Sequence, residues 1–187
     1  IFTVGYNTAG TQALSINAAI NGAESGATVN VLAGTYDEQV VINKANLTLQ
    51  SVVPQGAIID AGGGAIGVNI SSTPRNLGVI TVDAFTVHDW TSGGIIQGMA
   101  AGPFASLHVL NNVVYGPDTG ATANGNGIQV SGNGSVVSGN KVFNDHLNST
   151  DWSGSGIIVV NGSNITVENN LVDGADVGIA VTNWNNT

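Results

Sequence analysis

The sequence predicts an all-β solenoid, a single-stranded parallel β-helix of three sheets with a short capping α-helix at its amino end. Three observations carry this expectation. Turn-forming residues, 27 Gly and 23 Asn, punctuate nearly the whole chain of 187 residues. Between them sit short runs rich in Val, Ile, Leu and Thr: Val29 to Leu32, Val40 to Ile42, Leu47 to Leu49, Val79 to Val82, Leu107 to Leu110, Ile157 to Val160 and Ile165 to Val167. β-Branched runs bounded by Gly, Asn and Asp read as short strands. A β-sandwich would show similar runs, and internal repetition decides between the two.

Three segments superpose without gaps: Leu107-His-Val-Leu-Asn-Asn-Val-Val-Tyr115, Val136-Val-Ser-Gly-Asn-Lys-Val-Phe-Asn144 and Ile165-Thr-Val-Glu-Asn-Asn-Leu-Val-Asp173. Their shared Asn falls at Asn111, Asn140 and Asn169, with Asp83 in the same place of the earlier run Ile80 to Val87. A step of 28 to 29 residues is one coil of a solenoid. Gly127-Ile-Gln-Val130, Gly156-Ile-Ile-Val159 and Gly178-Ile-Ala-Val181 recur in the same frame, the shorter last step implying a trimmed loop. Stacking would place like residues above one another at the ~4.8 Å strand spacing around one aliphatic core. Asp83, Asn111, Asn140 and Asn169 are then expected to form a structural ladder at one corner, because Asn tolerates left-handed backbone and its amide can bond the next coil. The domain reading is one unit over 1–187, with 1–33 as cap and entry and 34–187 as coils.

Composition narrows the function. Only 12 acidic and 3 basic residues are present, giving a net charge of −9. Lys44, Arg75 and Lys141 cannot form a basic patch, so nucleic acid is excluded as a partner, and anionic membranes and polyuronates are disfavoured by the same sign. No cysteine is present for disulfides, thiolate zinc sites or thiol nucleophiles. No apolar run is long enough to span a bilayer, and the start at Ile1 suggests a processed, exported chain.

The segment Thr11 to Gly22 places Ala13, Leu14, Ile16, Ala18, Ala19 and Ile20 in an amphipathic pattern. It predicts a short helix with Thr11 as N-cap and Gly22 just past its end. That order, "Gln-Ala-Leu" then "Ala-Ala-Ile", followed by Gly26-Ala-Thr-Val-Asn-Val-Leu-Ala-Gly-Thr-Tyr-Asp-Glu-Gln-Val-Val-Ile42 and Leu47-Thr-Leu49, resembles the amino-terminal cap of the pectin-lyase-like right-handed parallel β-helix superfamily. The later "Ile-Thr-Val-Glu-Asn-Asn" unit resembles its coils, and the resemblance runs from about Thr11 to Val181. It implies a right-handed helix and leaves function open, since that superfamily spans lyases, esterases, hydrolases, epimerases, tailspikes and surface-layer or sheath proteins.

Each chemistry was weighed by what it needs. Lyases of this type imply a base and cationic groups, but Arg75 and the two lysines sit in unrelated contexts. Glycoside hydrolysis needs two facing carboxylates, and Asp60, Asp83, Asp89, Asp118, Asp145, Asp151, Asp173 and Asp176 show no Asp-Asp or Asp-x-Asp pairing. The one local cluster is Asn144 to Trp152, where Asp145, His146 and Asp151 could supply acid and base and Trp152 could stack on a sugar. It loosely resembles the Asp-Pro-His motif of the epimerases, without the Pro. The competing reading is an exposed polar loop, and His88-Asp89-Trp90 reads as a second surface corner of the same composition. His88, His108 and His146 lack metal-ligand spacing, so no metal and no cofactor is expected.

Seven sequons, at Asn46, Asn69, Asn133, Asn148, Asn161, Asn164 and Asn185, suggest an extracellular surface protein with sites for N-glycosylation, archaeal by preference. The last coil ends without a covering helix, which exposes a strand edge. The sequence therefore points to a non-catalytic extracellular subunit that assembles with itself through β-helix edges into a surface layer, sheath or filament. The alternative is a polysaccharide-active enzyme or carbohydrate-binding module, with surface glycans as partners.

Overall fold

The computed structural model describes residues 1–5, 15–71, 77–98, 104–116, 125–143 and 154–183. The chain enters through β1 (Phe2–Val4) and α1 (Ile16–Gly22) and then winds in coils. The first coil is β2 (Thr28–Val31), β3 (Gly34–Asp37) and β4 (Val40–Ile42); the second is β5 (Thr48–Ser51) and β6 (Ala57–Ile70); the third is β7 (Val79–Asp83) and β8 (Thr86–Gln97). The fourth comprises β9 (Ser106–Leu110), β10 (Val113–Tyr115) and β11 (Asn126–Val130), and the fifth β12 (Val136–Ser138), β13 (Lys141–Phe143) and β14 (Ser155–Val160). The sixth is β15 (Thr166–Glu168), β16 (Leu171–Asp173) and β17 (Val177–Thr182).

Every strand pairing is parallel, and the order β1-β2-β5-β7-β9-β12-β15 makes a seven-stranded first sheet. The second face holds β3, β10, β13 and β16, and the third β4, β11, β14 and β17. In the second and third coils these two faces are served by single long strands, β6 and β8, which fuse them into one ten-stranded sheet. The bend between the faces is absorbed within those strands, by left-handed backbone at Gly62, Gly63 and Asp89 and by register shifts around Gly64.

Inside, the aliphatic positions stack. Val29, Leu49, Val82, Val109 and Val137 are successive partners along the first sheet and all are fully buried. Ile59, Val87, Val114 and Val142 line the second face opposite them. Each such side chain contributes roughly 1.5–3 kcal/mol by leaving water. The recurring Gly-Ile-x-Val motif pairs as expected, Ile128 with Ile157 with Ile179. Packing demands the glycine at Gly156, where a Cβ would meet Val172 and the Gly178 carbonyl, and at Gly94 in the matching slot of the third coil, where it would meet the Val114 side chain and the Gly127 carbonyl; at Gly178 a Cβ would meet nothing within 4 Å.

An asparagine ladder is present, with Asn140 in its expected place and Asn112 and Asn170 on either side of it in place of Asn111 and Asn169; Asn111 instead bonds Asp83, its Nδ2 donating to Oδ1 at 3.0 Å. The Asn112 Oδ1 accepts the Phe85 N–H (2.9 Å), the Asn140 Oδ1 accepts the Asn112 N–H (2.9 Å), and the Asn170 Oδ1 accepts the Asn140 N–H (2.9 Å). Each amide nitrogen donates back to a carbonyl of the preceding coil, Asn112 to Val82, Asn140 to Val109 and Asn170 to Val137. The slot just before the ladder is the left-handed one, held by Ala84, Asn111, Gly139 and Asn169 with φ from 53 to 71°. The gapless superposition merged two adjacent slots, because Gly139 serves where Asn111 and Asn169 do. The true steps are 28 and 30 residues.

The helix cap also differs in detail. It starts at Ile16 with Ser15 as N-cap, the Ser15 Oγ accepting from the Ala18 N–H at 3.2 Å; Thr11 lies outside the described residues. Gly22 is the last helical residue, and Ala23 follows in extended backbone, so no left-handed glycine closes the helix. The start is fixed by Glu38, whose carboxylate accepts the Ile16 and Asn17 N–H groups (2.6 and 3.1 Å), the Asn17 amide (2.7 Å) and the Ser15 hydroxyl (2.9 Å). Those donors are the otherwise unpaired first N–H groups of a helix. Ile16, Ala19 and Ile20 then close the core's amino end.

Two stability predictions follow from these contacts. Asn140→Ala orphans a buried N–H and a buried carbonyl and should cost about 3 kcal/mol in urea unfolding, whereas Asn111→Gly at the exposed left-handed slot should change stability by less than about 1 kcal/mol. Equal costs would place the ladder back at Asn111. Glu38→Ala should expose α1 to amide exchange before the coils open, and unchanged protection over residues 16–22 would show that the carboxylate does not hold the cap.

Candidate functional site

The outward positions of the first sheet repeat as a triplet: Thr28-Val-Asn30, Thr48-Leu-Gln50 and Thr81-Val-Asp83, with the middle residue buried and the flanking two directed outward. Asn30, Gln50 and Asp83 are Cα partners on successive rungs. They form the floor of an open cleft of about 550 Å³. Its wall is the turn after β5, with Ser51, Val52, Pro54 and Gln55, and its far side is Ala84 and Asn111.

The turn is fixed tightly. The Ser51 hydroxyl accepts the Ala57 N–H (3.0 Å) and donates to the Val53 carbonyl, and the Gln55 N–H donates to the Ala84 carbonyl at 2.7 Å. Gln55 itself adopts φ 56°, and its Nε2 reaches the Asn111 carbonyl at 2.7 Å. On the floor the Gln50 Nε2 donates to the Asn30 Oδ1 (2.8 Å), and the Asn111 Nδ2 donates to the Asp83 Oδ1 (3.0 Å). Val52 and Pro54 supply an exposed apolar rim. A polar floor beside an apolar rim suits a ligand with hydroxyls on its edges and C–H groups on its faces.

A second outward row crosses the second face. Asp37 pairs with Asp60 and Asp60 with His88, while Tyr115, Phe143 and Asp173 continue the row on later rungs. The Tyr115 and Phe143 rings stack with centroids 5.6 Å apart. Among the described residues nothing covers this row, so its paired carboxylates stand on an open sheet surface there. Among the described residues lining the cleft there is a single carboxylate, Asp83.

Asp145, His146, Asp151 and Trp152 lie outside the described residues, as do Asn148 and Asn185. Trp90 is buried to 1% exposure with an unpartnered Nε1, so His88-Asp89-Trp90 is not the surface corner expected of it; left-handed backbone at Asp89 turns the indole inward. His88 is half-exposed. Of the other sequon asparagines, Asn46, Asn133 and Asn164 are exposed, and Asn69 and Asn161 are half-buried. Among the described residues no group of three or more His, Asp or Glu side chains could hold a metal ion. No helix among them is long and apolar enough to cross a membrane.

No protein-family model matches the chain, and no curated protein matches it by sequence. Among solved structures it is similar to the pectin methylesterase PemA from Erwinia chrysanthemi, with a TM-score of 0.53 and 12% identity, over 88% of this chain and 65% of that one. The chain thus spans somewhat less than two thirds of that protein. The likeness lends no support to surface-layer, sheath or archaeal expectations. The fold is a right-handed parallel β-helix, as the sequence predicts, and it is shared with that pectin methylesterase.

Proposed function

We propose that this chain is a carbohydrate-binding β-helix that holds a glycan in the cleft over Asn30, Gln50 and Asp83. The observation that carries the reading is the cleft itself, about 550 Å³ lined by four amides, a carboxylate and an apolar rim. The named activity of the structural neighbour, on pectin, supports a saccharide ligand in preference to a purely structural role. Binding is favoured over cleavage because one carboxylate cannot serve as both acid and base. Equilibrium binding to a panel of oligosaccharides tests it. At least one should bind, and the double variant Asn30→Ala/Gln50→Ala, which removes two side chains bonded to each other, should weaken it by about tenfold. Absence of binding across the panel, or binding indifferent to that variant, overturns the reading.

A second reading retains self-association. Among the described residues β15, β16 and β17 pair on one side only, and Leu171, Ile179 and Val181 there are 51, 52 and 79% exposed. The opposite end is covered by α1, which packs on β1, β2 and β4. Copies joined through these exposed edge strands about a two-fold axis would stop at two, not extend as a filament. Light scattering should then give a dimer mass that Val181→Lys reduces to a monomer; a monomer at all concentrations removes this reading.

A further inference from the structure

We infer that the sugar taken by this cleft carries a free amine, an inference that rests on the carbohydrate reading above. Two independent features lead there. The first is charge. The chain carries −9, and neither lysine, arginine nor histidine is among the cleft's lining residues, while the half-buried Asp83 carboxylate stands on its floor. A uronate placed beside Asp83 would face a like charge, with no cation among the described lining residues to offset it. An ammonium would meet an opposite one.

The second is the direction of the hydrogen bonds. The amides of the site are partly spent on one another: Gln50 Nε2 donates to Asn30, Gln55 Nε2 to the Asn111 carbonyl, and Asn111 Nδ2 to one oxygen of Asp83. Each of these amides keeps both a donor and an acceptor, whereas the ionised Asp83 carboxylate can only accept, and its second oxygen has no partner among the described residues. The amides therefore suit hydroxyls of either sense, and the carboxylate selects an N–H or O–H donor. A protonated amine supplies three donors and the complementary charge from one atom, and hydrogen bonds between ionised groups are the strong ones. The Val52 and Pro54 rim then lies against the C–H face of the ring.

The experiment compares three short oligomers at pH 6 by calorimetry: glucosamine, N-acetylglucosamine and galacturonate trimers. The glucosamine trimer should bind on the order of tenfold tighter than its N-acetyl counterpart, and the galacturonate trimer should not bind. Asp83→Asn should abolish the amine preference, and Asp173→Asn, a carboxylate on a distant rung, should leave it intact. The inference fails if the N-acetyl trimer binds as well as the amine, if the preference survives Asp83→Asn, or if Asp173→Asn removes it equally, which would mean diffuse attraction to an acidic protein. A lysine tripeptide bound as tightly, with the same dependence on Asp83, also overturns it by showing a cation site indifferent to sugar. Neutral trimers held by the cleft without any amine preference would sink this inference and leave the carbohydrate reading standing; no trimer bound would remove both.

Discussion

The strands' backbone hydrogen bonds run along the long axis of this molecule, from one rung to the next. That constraint orders everything else, because a parallel rung spacing of ~4.8 Å forces whatever stands in one slot to touch its counterpart above and below. Inward slots must therefore hold shapes that stack on themselves, and Val29, Leu49, Val82, Val109 and Val137 do so. Corner slots must also satisfy polar backbone that the sheets leave behind. Asn112 and Asn140, both fully buried, carry that burden by bonding the rung on each side of them. Their amides work as extra backbone, a donor and an acceptor repeating at the same pitch as the peptide groups.

The same constraint explains the ends. A stack of rungs has no natural stopping point, so its first rung needs a foreign element to cover it. Here α1 lays Ile16, Ala19 and Ile20 over the core, and its unpaired N–H groups are met by Glu38 from the turn between β3 and β4. A carboxylate at a helix start is favoured by the helix dipole as well as by the bonds it accepts. One acidic side chain thus joins the cap to the first coil.

Much of the architecture is legible in the sequence because stacking writes itself as repetition. The Gly-Ile-x-Val frames align with the observed pairs without adjustment. Legibility fails where two chemistries fit one slot. Gly139 and Asn111 both tolerate left-handed backbone, so identity matching drew Asn140 toward Asn111, when its true neighbour is Asn112. It fails again where coils differ in length. Asn30 and Gln50 are 20 residues apart, far from the 28 of later coils, so a fixed period cannot bring the cleft floor together. The signal was present in another form, as the triplets Thr-Val-Asn, Thr-Leu-Gln and Thr-Val-Asp, which share the out-in-out pattern of an exposed sheet face. Asp37 and Asp60 were missed for the same reason, each ending an alternating run on its own rung.

How such a scaffold separates binding from catalysis is visible on the cleft floor. The partners of Asp83 on the neighbouring rungs are Gln50 and then Asn30, the amide relatives of Glu and Asp. A carboxylate in the Gln50 slot would stand one rung from Asp83, close to the ~5–5.5 Å separation that retaining glycoside cleavage uses. The stack already fixes that distance, so no change of backbone would be required. What the amide changes is charge and proton inventory: Gln50 can accept and donate hydrogen bonds, but it can neither lose a proton to a leaving group nor attack a sugar carbon as an anion. The floor therefore has the spacing of a carboxylate pair without the second carboxylate, and slot identity, not the fold, decides which chemistry such a surface can support.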